Sequence, residues 1–296
     1  MKVLLTGASG FLGSIISSSL SHNSIISLGR FNAGINVDLS REVPKLPDVD
    51  LVIHAAGKAH IVPSSKIEYQ EVFDINVTGT INLLKGLEQS TLPKSIIYIS
   101  SVSVYGREKG LLINEDEPLL AKDPYGVSKI KAEKIIIEWC KTNNVICTIL
   151  RLPLVLGENP PGNLKAMIYG IKKGYYFNIS GGIARKSMVL ASDVAKFILK
   201  VAVVGGTYNL TDGYHPNFNE LSHCIATQIN RNHVPNIPLF FAMILAFIGD
   251  TVGQKFPINS NKLNKINSTL TFDDSKAREA FGWNPTPVLK GFKIHE

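Results

Sequence analysis

Val3-Leu4-Leu5-Thr6-Gly7-Ala8-Ser9-Gly10-Phe11-Leu12-Gly13 stands at the start of the chain. The apolar triplet predicts a short buried strand and the glycines a tight turn. The apolar spacing beyond them predicts a helix from about Phe11 to Leu20. The glycines fall as G-x-x-G-x-x-G. Without side chains they let the backbone come close to a ligand, and the helix start offers N–H groups and partial positive charge. Strand, glycine turn and helix in this order suit the pyrophosphate of a dinucleotide.

The same alternation continues outward. Ile25 to Leu28 reads as a second strand ending at Gly29-Arg30. An acidic residue there would bond ribose hydroxyls; a guanidinium would instead grip a 2′-phosphate, which tilts the cofactor toward NADP. Arg30 facing water or stacking on adenine leaves NAD open. Asp38, in Val37-Asp38-Leu39, is placed to accept a hydrogen bond from the adenine amino group. Asp50 to Gly57 is an apolar strand closing on Ala55-Ala56-Gly57, small residues that leave room for a ligand at a parallel strand's carboxyl end. A helix opens at Asp74 and runs through Leu87. Its Asn76 is either an ordinary polar residue or a partner for backbone near the site. Ser95 to Ser101 and Val145 to Leu150 complete the strands, and loop 107–124 between them carries Glu115-Asp116-Glu117.

Strands alternating with helices at this spacing predict an α/β fold, a doubly wound parallel (Rossmann) sheet with its strand ends on one rim. After Gly157 the pattern changes: helices from Asn163 to Lys173 and from Ala191 to about Val203, a strand from Thr207 to Leu210, and a near capping box at Asn217 and Glu220. The expected division is 1–156 for the dinucleotide-binding domain, with 188–210 returning to it. A smaller C-terminal α/β substrate lobe then comprises 157–187 and 211–296.

Tyr125-Gly126-Val127-Ser128-Lys129 carries the chemistry. On a helix, i and i+4 share a face, so a phenol and an ammonium lie side by side. A nearby positive charge is expected to lower the phenol's pKa from about 10. A phenol so tuned exchanges a proton with a sugar hydroxyl or ketone. The alternative is an amphipathic surface helix whose Tyr and Lys share a face by chance.

The 296 residues are 45% hydrophobic and carry a net charge of +7. The length supports a large core. No dense Lys/Arg run suggests nucleic acid. Cys140, Cys147 and Cys224 lack metal-ligand spacing and read as free thiols of a reducing compartment. No metal site is expected. The N-terminus lacks a signal peptide's pattern, which points to a cytoplasmic protein. The apolar run from Ile237 to Gly249 is too short for a transmembrane segment. It reads by default as a core helix, with a membrane-surface or partner-docking helix as the alternative.

Taken together, the chain resembles the extended short-chain dehydrogenase/reductase group, within the NAD-dependent epimerase/dehydratase family that modifies nucleotide sugars. The resemblance rests on Thr6-Gly7 through Gly13, His54 to Gly57, Asn76-Val77 with Gly79-Thr80, Ser100-Ser101 with Val104-Tyr105-Gly106, and Tyr125 to Lys129. It extends to Arg151 with Pro153, Asp193-Val194-Ala195, Ser275 to Arg278, and Gly282-Trp283 with Pro285.

The resemblance implies catalytic roles for Tyr125 as acid/base, Lys129 as its tuning partner and ribose ligand, and Ser101 as the hydroxyl on the reacting oxygen. Ser100 and Ser103 rank below Ser101. It implies NAD or NADP contacts at Gly7, Ser9, Gly10, Phe11, Leu12, Gly13, Arg30, Asp38, Leu39, Ala55, Ala56, Gly57, Asn76, Tyr125, Lys129 and Leu152. Substrate contacts are implied at Lys58, Ser101, Ser103, Asn163, Arg185 and Lys186. Counting back from Asp193, Lys186 falls in register with the family's diphosphate-binding arginine, unless the register slips to Arg185; alternatively both are surface cations. The implied activity is hydride transfer through a 4-keto-hexose of a nucleotide-diphosphate sugar. An NDP-hexose 4-epimerase, an isomerase, is the first expectation; an NAD(P)H-dependent 4-keto-6-deoxyhexose reductase, an oxidoreductase, is the second; a non-catalytic NAD(P)-binding protein is the third. Val102 and Ser103, where a dehydratase commonly has an acidic pair, disfavour dehydration. Polysaccharide biosynthesis and a homodimer through the Rossmann helices complete the expectations.

Overall fold

A computed structural model describes residues 1–59, 65–231, 233–252 and 258–294. The chain opens with β1 (Lys2–Thr6), α1 (Phe11–Ser19), β2 (Ser24–Gly29), β3 (Ile35–Asn36) and β4 (Leu51–His54). Helix α2 (Lys66–Phe73) passes through a widened π turn, Asp74–Thr78, into α3 (Gly79–Leu87). Then come β5 (Ser95–Ser101), β6 (Gly110–Ile113), α4 (Pro124–Asn143), β7 (Ile146–Leu152) and β8 (Leu154–Leu156). The later part holds α5 (Gly162–Lys173), β9 (Asn178–Ile179), β10 (Met188–Leu190), α6 (Ala191–Val201), β11 (Gly206–Asn209), α7 (Phe218–Gln228) and β12 (Asn236–Ile237). It ends with α8 (Leu239–Val252), α9 (Ser260–Asn267), β13 (Leu270–Phe272), α10 (Ser275–Phe281) and α11 (Val288–Gly291).

Seven parallel strands form the main sheet in the order β11-β7-β5-β4-β1-β2-β3. This is the doubly wound sheet that the sequence pattern predicts. Its strands are apolar on both faces because helices cover both. Val3, Leu5, Ile53 and Ile97 pack on one side with α1 and α6 residues such as Ile16 and Ile198. Leu4, Val52, Ile96 and Ile149 pack on the other with Leu83 of α3 and Ile136 of α4.

A smaller apolar cluster unites α5, α7 and α11 through Leu164, Ile171, Leu221, Ile225 and Val288. Asn217 and Glu220 make a full capping box at the start of α7, and Gly282 ends α10 in the left-handed conformation. These are the local signals read from the sequence, each satisfying backbone groups that a helix end leaves unpaired.

One expectation fails. Helix α8 forms as expected but is not a core helix. It buries only Ala242, Ala246 and Gly249, while its large apolar side chains face outward. The small residues form a seam against Ile179 of β9 and Leu263 of α9. Apolar composition alone could not say which side of the helix the rest of the chain would cover.

Candidate active site

The glycine turn is shaped by contacts that side chains would obstruct. Gly7 has φ +73°, and a Cβ there would come within 2.7 Å of the Ala56 backbone. A Cβ on Gly13 would run into the Gly7 carbonyl. The turn delivers Gly10 as the first residue of α1's cap. No side chain caps that helix, and no acidic residue lies in its first turn. Its N–H groups and dipole therefore suit a phosphate. Ser9, Gly10 and Phe11 line a groove of about 740 Å³ shared with Gly157 and Asn159.

Asp123 caps α4 by accepting the Gly126 N–H at 2.9 Å, and Pro124 occupies the first turn. This fixes Tyr125 at the helix entrance. The Tyr125 hydroxyl meets the Ser101 hydroxyl, which lies at the end of β5. Ser101 in turn accepts the Ser103 N–H at 3.2 Å and donates to the Ser103 hydroxyl at 3.1 Å. One turn further along α4, Lys129 is buried. Its ammonium donates to the Ile99 carbonyl at 2.9 Å and lies 4.6 Å from the centre of the Tyr98 ring. A Cβ on Gly57 would sit 3.2 Å from both this ammonium and the Asn76 Oδ1. Gly57, Asn76, Lys129, Tyr125 and Ser101 thus share the rim to which β4 and β5 run.

The phenol's pKa is raised, not lowered as expected from its lysine neighbour. Burial is the largest cause, the Ser101 hydroxyl opposes it, and Asp123 adds to the rise. The Lys129 ammonium, which donates to the Ile99 carbonyl, brings no lowering to offset this. Burial also brings Lys129 down to about 8, with Glu133 pulling the other way. The site therefore combines a neutral phenol at neutral pH with a lysine near its titration point.

Two hydrogen-bond systems behind this rim were not read from the sequence. The first joins the glycine turn to α4. His54 at the end of β4 is held at about 3 by burial, the Lys129 charge adding to the shift, so its ring is neutral. Thr80 donates to the Asn76 carbonyl at 2.7 Å. Its oxygen, 2.9 Å from His54 Nε2, therefore accepts from that nitrogen. Nδ1 is then the acceptor for Thr6 at 2.7 Å, and Thr6 takes the Ala56 N–H at 3.1 Å. Asn76 continues the chain. Its Oδ1 accepts the Lys58 N–H at 2.8 Å, and its Nδ2 donates to Ser128 at 2.8 Å. Ser128 donates to the Tyr125 carbonyl at 2.7 Å. Asn76 reaches this position from the widened turn between α2 and α3, and such turns recur at functional sites.

The second system is a buried ion pair, Arg151 of β7 to Glu133 of α4, at 2.7 Å between Nη2 and Oε2. Ser100 donates to the same carboxylate, and Arg151 Nη1 donates to the Tyr105 hydroxyl at 3.1 Å. Ser100 is thereby turned away from Tyr125, which explains its lower rank. The available signal was spacing: Tyr125, Lys129 and Glu133 recur at i, i+4 and i+8.

Other predicted residues are arranged differently. Arg30 is exposed just past the end of β2; Asp38 nearby has its pKa lowered, against burial, by the Ser40 hydrogen bonds, with the Arg30 charge a smaller contribution. Asp38 Oδ1 is already taken by Ser40, from its N–H at 3.0 Å and its hydroxyl at 2.7 Å. Leu39 packs beside Gly79, and its carbonyl accepts from Asn82. The side chain of Leu152 belongs to the sheet core, leaving only its backbone at the rim. The Lys58 ammonium pairs with Glu71 of α2. Asn163 stands exposed in the first turn of α5. Arg185 donates to the His215 carbonyl at 3.0 Å and lies 3.9 Å from Glu220. Lys186 behaves otherwise: its ammonium donates to the Lys265 carbonyl at 2.9 Å, and burial brings it down to about 8.

Comparison with known proteins agrees with this architecture. Residues 3–210 match the NAD dependent epimerase/dehydratase family model. The chain is 28% identical to the N-acetyl-alpha-D-glucosaminyl-diphospho-ditrans,octacis-undecaprenol 4-epimerase of Escherichia coli O157:H7, over 98% of this chain and 92% of that protein. It is 26% identical to the UDP-glucose 4-epimerase of Vibrio cholerae, over 99% of this chain and 93% of that protein. Among solved structures, the UDP-glucose 4-epimerase of Thermotoga maritima shares the fold with a TM-score of 0.77 at 19% identity, covering 98% of this chain and 96% of that one.

Proposed function

The chain belongs to the NAD dependent epimerase/dehydratase family, and from that premise we propose that it inverts C4 of a hexose carried on a diphosphate, through a 4-keto intermediate. The observation carrying this reading is the meeting of the Tyr125 and Ser101 hydroxyls with Lys129 buried one helical turn away. The glycine turn, the uncapped start of α1 and the groove lined by Ser9, Gly10 and Phe11 fit NAD or NADP. Exposed Arg30 is available to its adenosine half. Bound there, a nicotinamide would supply the hydride acceptor and donor for both half-reactions, with no net redox change.

Tyr125 accepts the C4 hydroxyl proton as the hydride departs and gives it back when the hydride returns to the opposite face. Ser101 donates to the carbonyl oxygen formed in between. Tyr125 is neutral at rest, so it must first give its proton to solvent before it can take the C4 proton. The positive charge of an oxidised nicotinamide, when bound, would favour that loss. Lys186 is the cation suited to the substrate diphosphate, because Glu220 lies beside Arg185. We further propose that 157–187 and 211–296 form the lobe that holds the substrate.

Two specific observations favour variant readings. Exposed Arg30 in place of an acidic residue favours NADPH and a 4-keto-sugar reductase. The exposed α8, joined through α9 to Lys186, favours a polyprenyl rather than a nucleoside carrier, as named for the E. coli relative. The test is incubation with UDP-N-acetylglucosamine, UDP-glucose, polyprenyl-diphospho-N-acetylglucosamine and a nucleotide-linked 4-keto-6-deoxyhexose, each with NAD or NADPH. A 4-epimer detected by NMR, with no steady loss of reduced nicotinamide, supports epimerisation. Stoichiometric NADPH consumption on a 4-keto sugar means reductase, and no turnover of any of these overturns the reading.

A further inference from the structure

Nine large apolar side chains of α8 are exposed, Phe240, Phe241, Met243, Ile244, Phe247 and Ile248 among them. At about 100° per residue they sweep about 240° of the helix circumference. Ala242, Ala246 and Gly249 fill the remaining arc and rest on the protein. An amphipathic helix normally has a polar outer face and an apolar inner one; here the outer surface is hydrocarbon and the inner seam is small.

What covers such a surface must wrap it rather than touch one stripe. The helix is about 21 Å long and about 10–12 Å across with side chains, a footprint on the order of 250 Å². A flat protein surface would touch one stripe of that arc and leave the rest in water. Lipid chains meet the helix on all its free sides. Fourteen residues are too few to cross about 30 Å of hydrocarbon, and among the described residues no helix is long and apolar enough to do so.

Charge points the same way. From Leu221 to Phe272 the sequence has one acid, Asp250, against Arg231, Lys255, Lys262 and Lys265; of these, Lys265 has Glu108 of the preceding half of the chain 3.5 Å away. Asp250 accepts the Ser260 N–H at 3.1 Å and so fastens the end of α8 to the start of α9. We propose that α8 lies in the plane of an anionic bilayer surface, its aromatic and aliphatic side chains among the acyl chains and the α9 lysines at headgroup level. The hairpin is continuous with the substrate end of the rim, since the Lys265 carbonyl receives the Lys186 ammonium. The proposal stands whichever carrier bears the sugar.

The test is flotation of the full chain with vesicles of phosphatidylglycerol and phosphatidylethanolamine, beside vesicles of phosphatidylcholine alone. The wild type should float with the anionic vesicles and at least ten-fold less with the neutral ones. The combined variant Phe240→Ser, Phe241→Ser, Phe247→Ser should lose at least ten-fold of its partitioning while keeping its thermal midpoint. Lys262→Glu with Lys265→Glu should weaken the preference for anionic vesicles. A wild type that stays soluble with both vesicle types overturns the proposal, as does a serine variant that floats undiminished. A wild-type dimer that the serine variant converts to monomer, with no vesicle binding by either, assigns the surface to a second copy instead.

Discussion

Helices α4 and α8 invert the usual rule of burial in opposite directions. Helix α4 spans 20 residues and takes Ser128, Lys129 and Glu133 inside. Helix α8 has no charge before Asp250, yet it leaves its large side chains outside. Buried charge is costly unless it is paired or put to use, and a broad apolar surface is uncommon on a monomer. In α4 the charged groups meet partners: Glu133 holds Arg151, and Lys129 meets the Ile99 carbonyl beneath the rim. In α8 the small residues rest on the chain, while Phe240, Phe241 and Phe247 stay mostly exposed. The difference separates a helix whose partners are already folded around it from one whose partner is still to arrive.

The contrast breaks first at Tyr125. Tyr125→Phe should lower turnover by about 10²–10⁴-fold with reduced-nicotinamide binding retained by fluorescence titration; unchanged turnover would make α4 structural only. Next, Glu133→Ala strands Arg151 without its carboxylate and should cost about 3–5 kcal/mol in urea unfolding. A loss below about 1 kcal/mol would mean the ion pair is solvated.

The third test uses pH. Folded Lys129 titrates at about 8, below its ordinary 10.5. Between those values the unfolded chain holds more protons, so this lysine makes stability increase as pH rises from about 8 to about 10.5. Lys129→Met should remove on the order of 3 kcal/mol of that rise. Equal pH slopes for variant and wild type would show a lysine that is hydrated rather than buried. The smallest effect belongs to α8: Phe240→Ser alone should change folding stability by no more than about 0.5 kcal/mol. A loss of 2 kcal/mol or more would mean the ring is packed in solution.

Much of the fold was legible because local signals agreed with each other. The glycine turn, the strand from Ser95 to Ser101 and the Asn217–Glu220 capping box all appear where the pattern puts them. The convergence of Tyr125 with Ser101 came from the family resemblance, since 24 residues separate them in sequence and no local rule joins them. The raised phenol pKa was not legible, because it depends on how completely the ring is dehydrated. His54 sat in the quoted sequence without a role. A histidine ending an apolar strand becomes informative only once Thr6 and Thr80 are found on its two ring nitrogens. For α8 the default of a core helix failed and the alternative of a surface-docking helix matched its exposure: composition reports how apolar a helix is, while its neighbours decide what remains uncovered.

The widened turn at Asp74–Thr78 has a consequence for how this segment tolerates length changes. One surplus residue is accommodated there without unwinding, and each residue added or removed turns α2 by about 100° relative to α3. A single-residue deletion at Ile75 would let the helix tighten into regular α geometry. The Asn76 amide would then swing away from Ser128 while Thr80 kept its place under His54. Insertions elsewhere on the surface can be absorbed by loops, but here the count of residues is itself the part that aims the side chain.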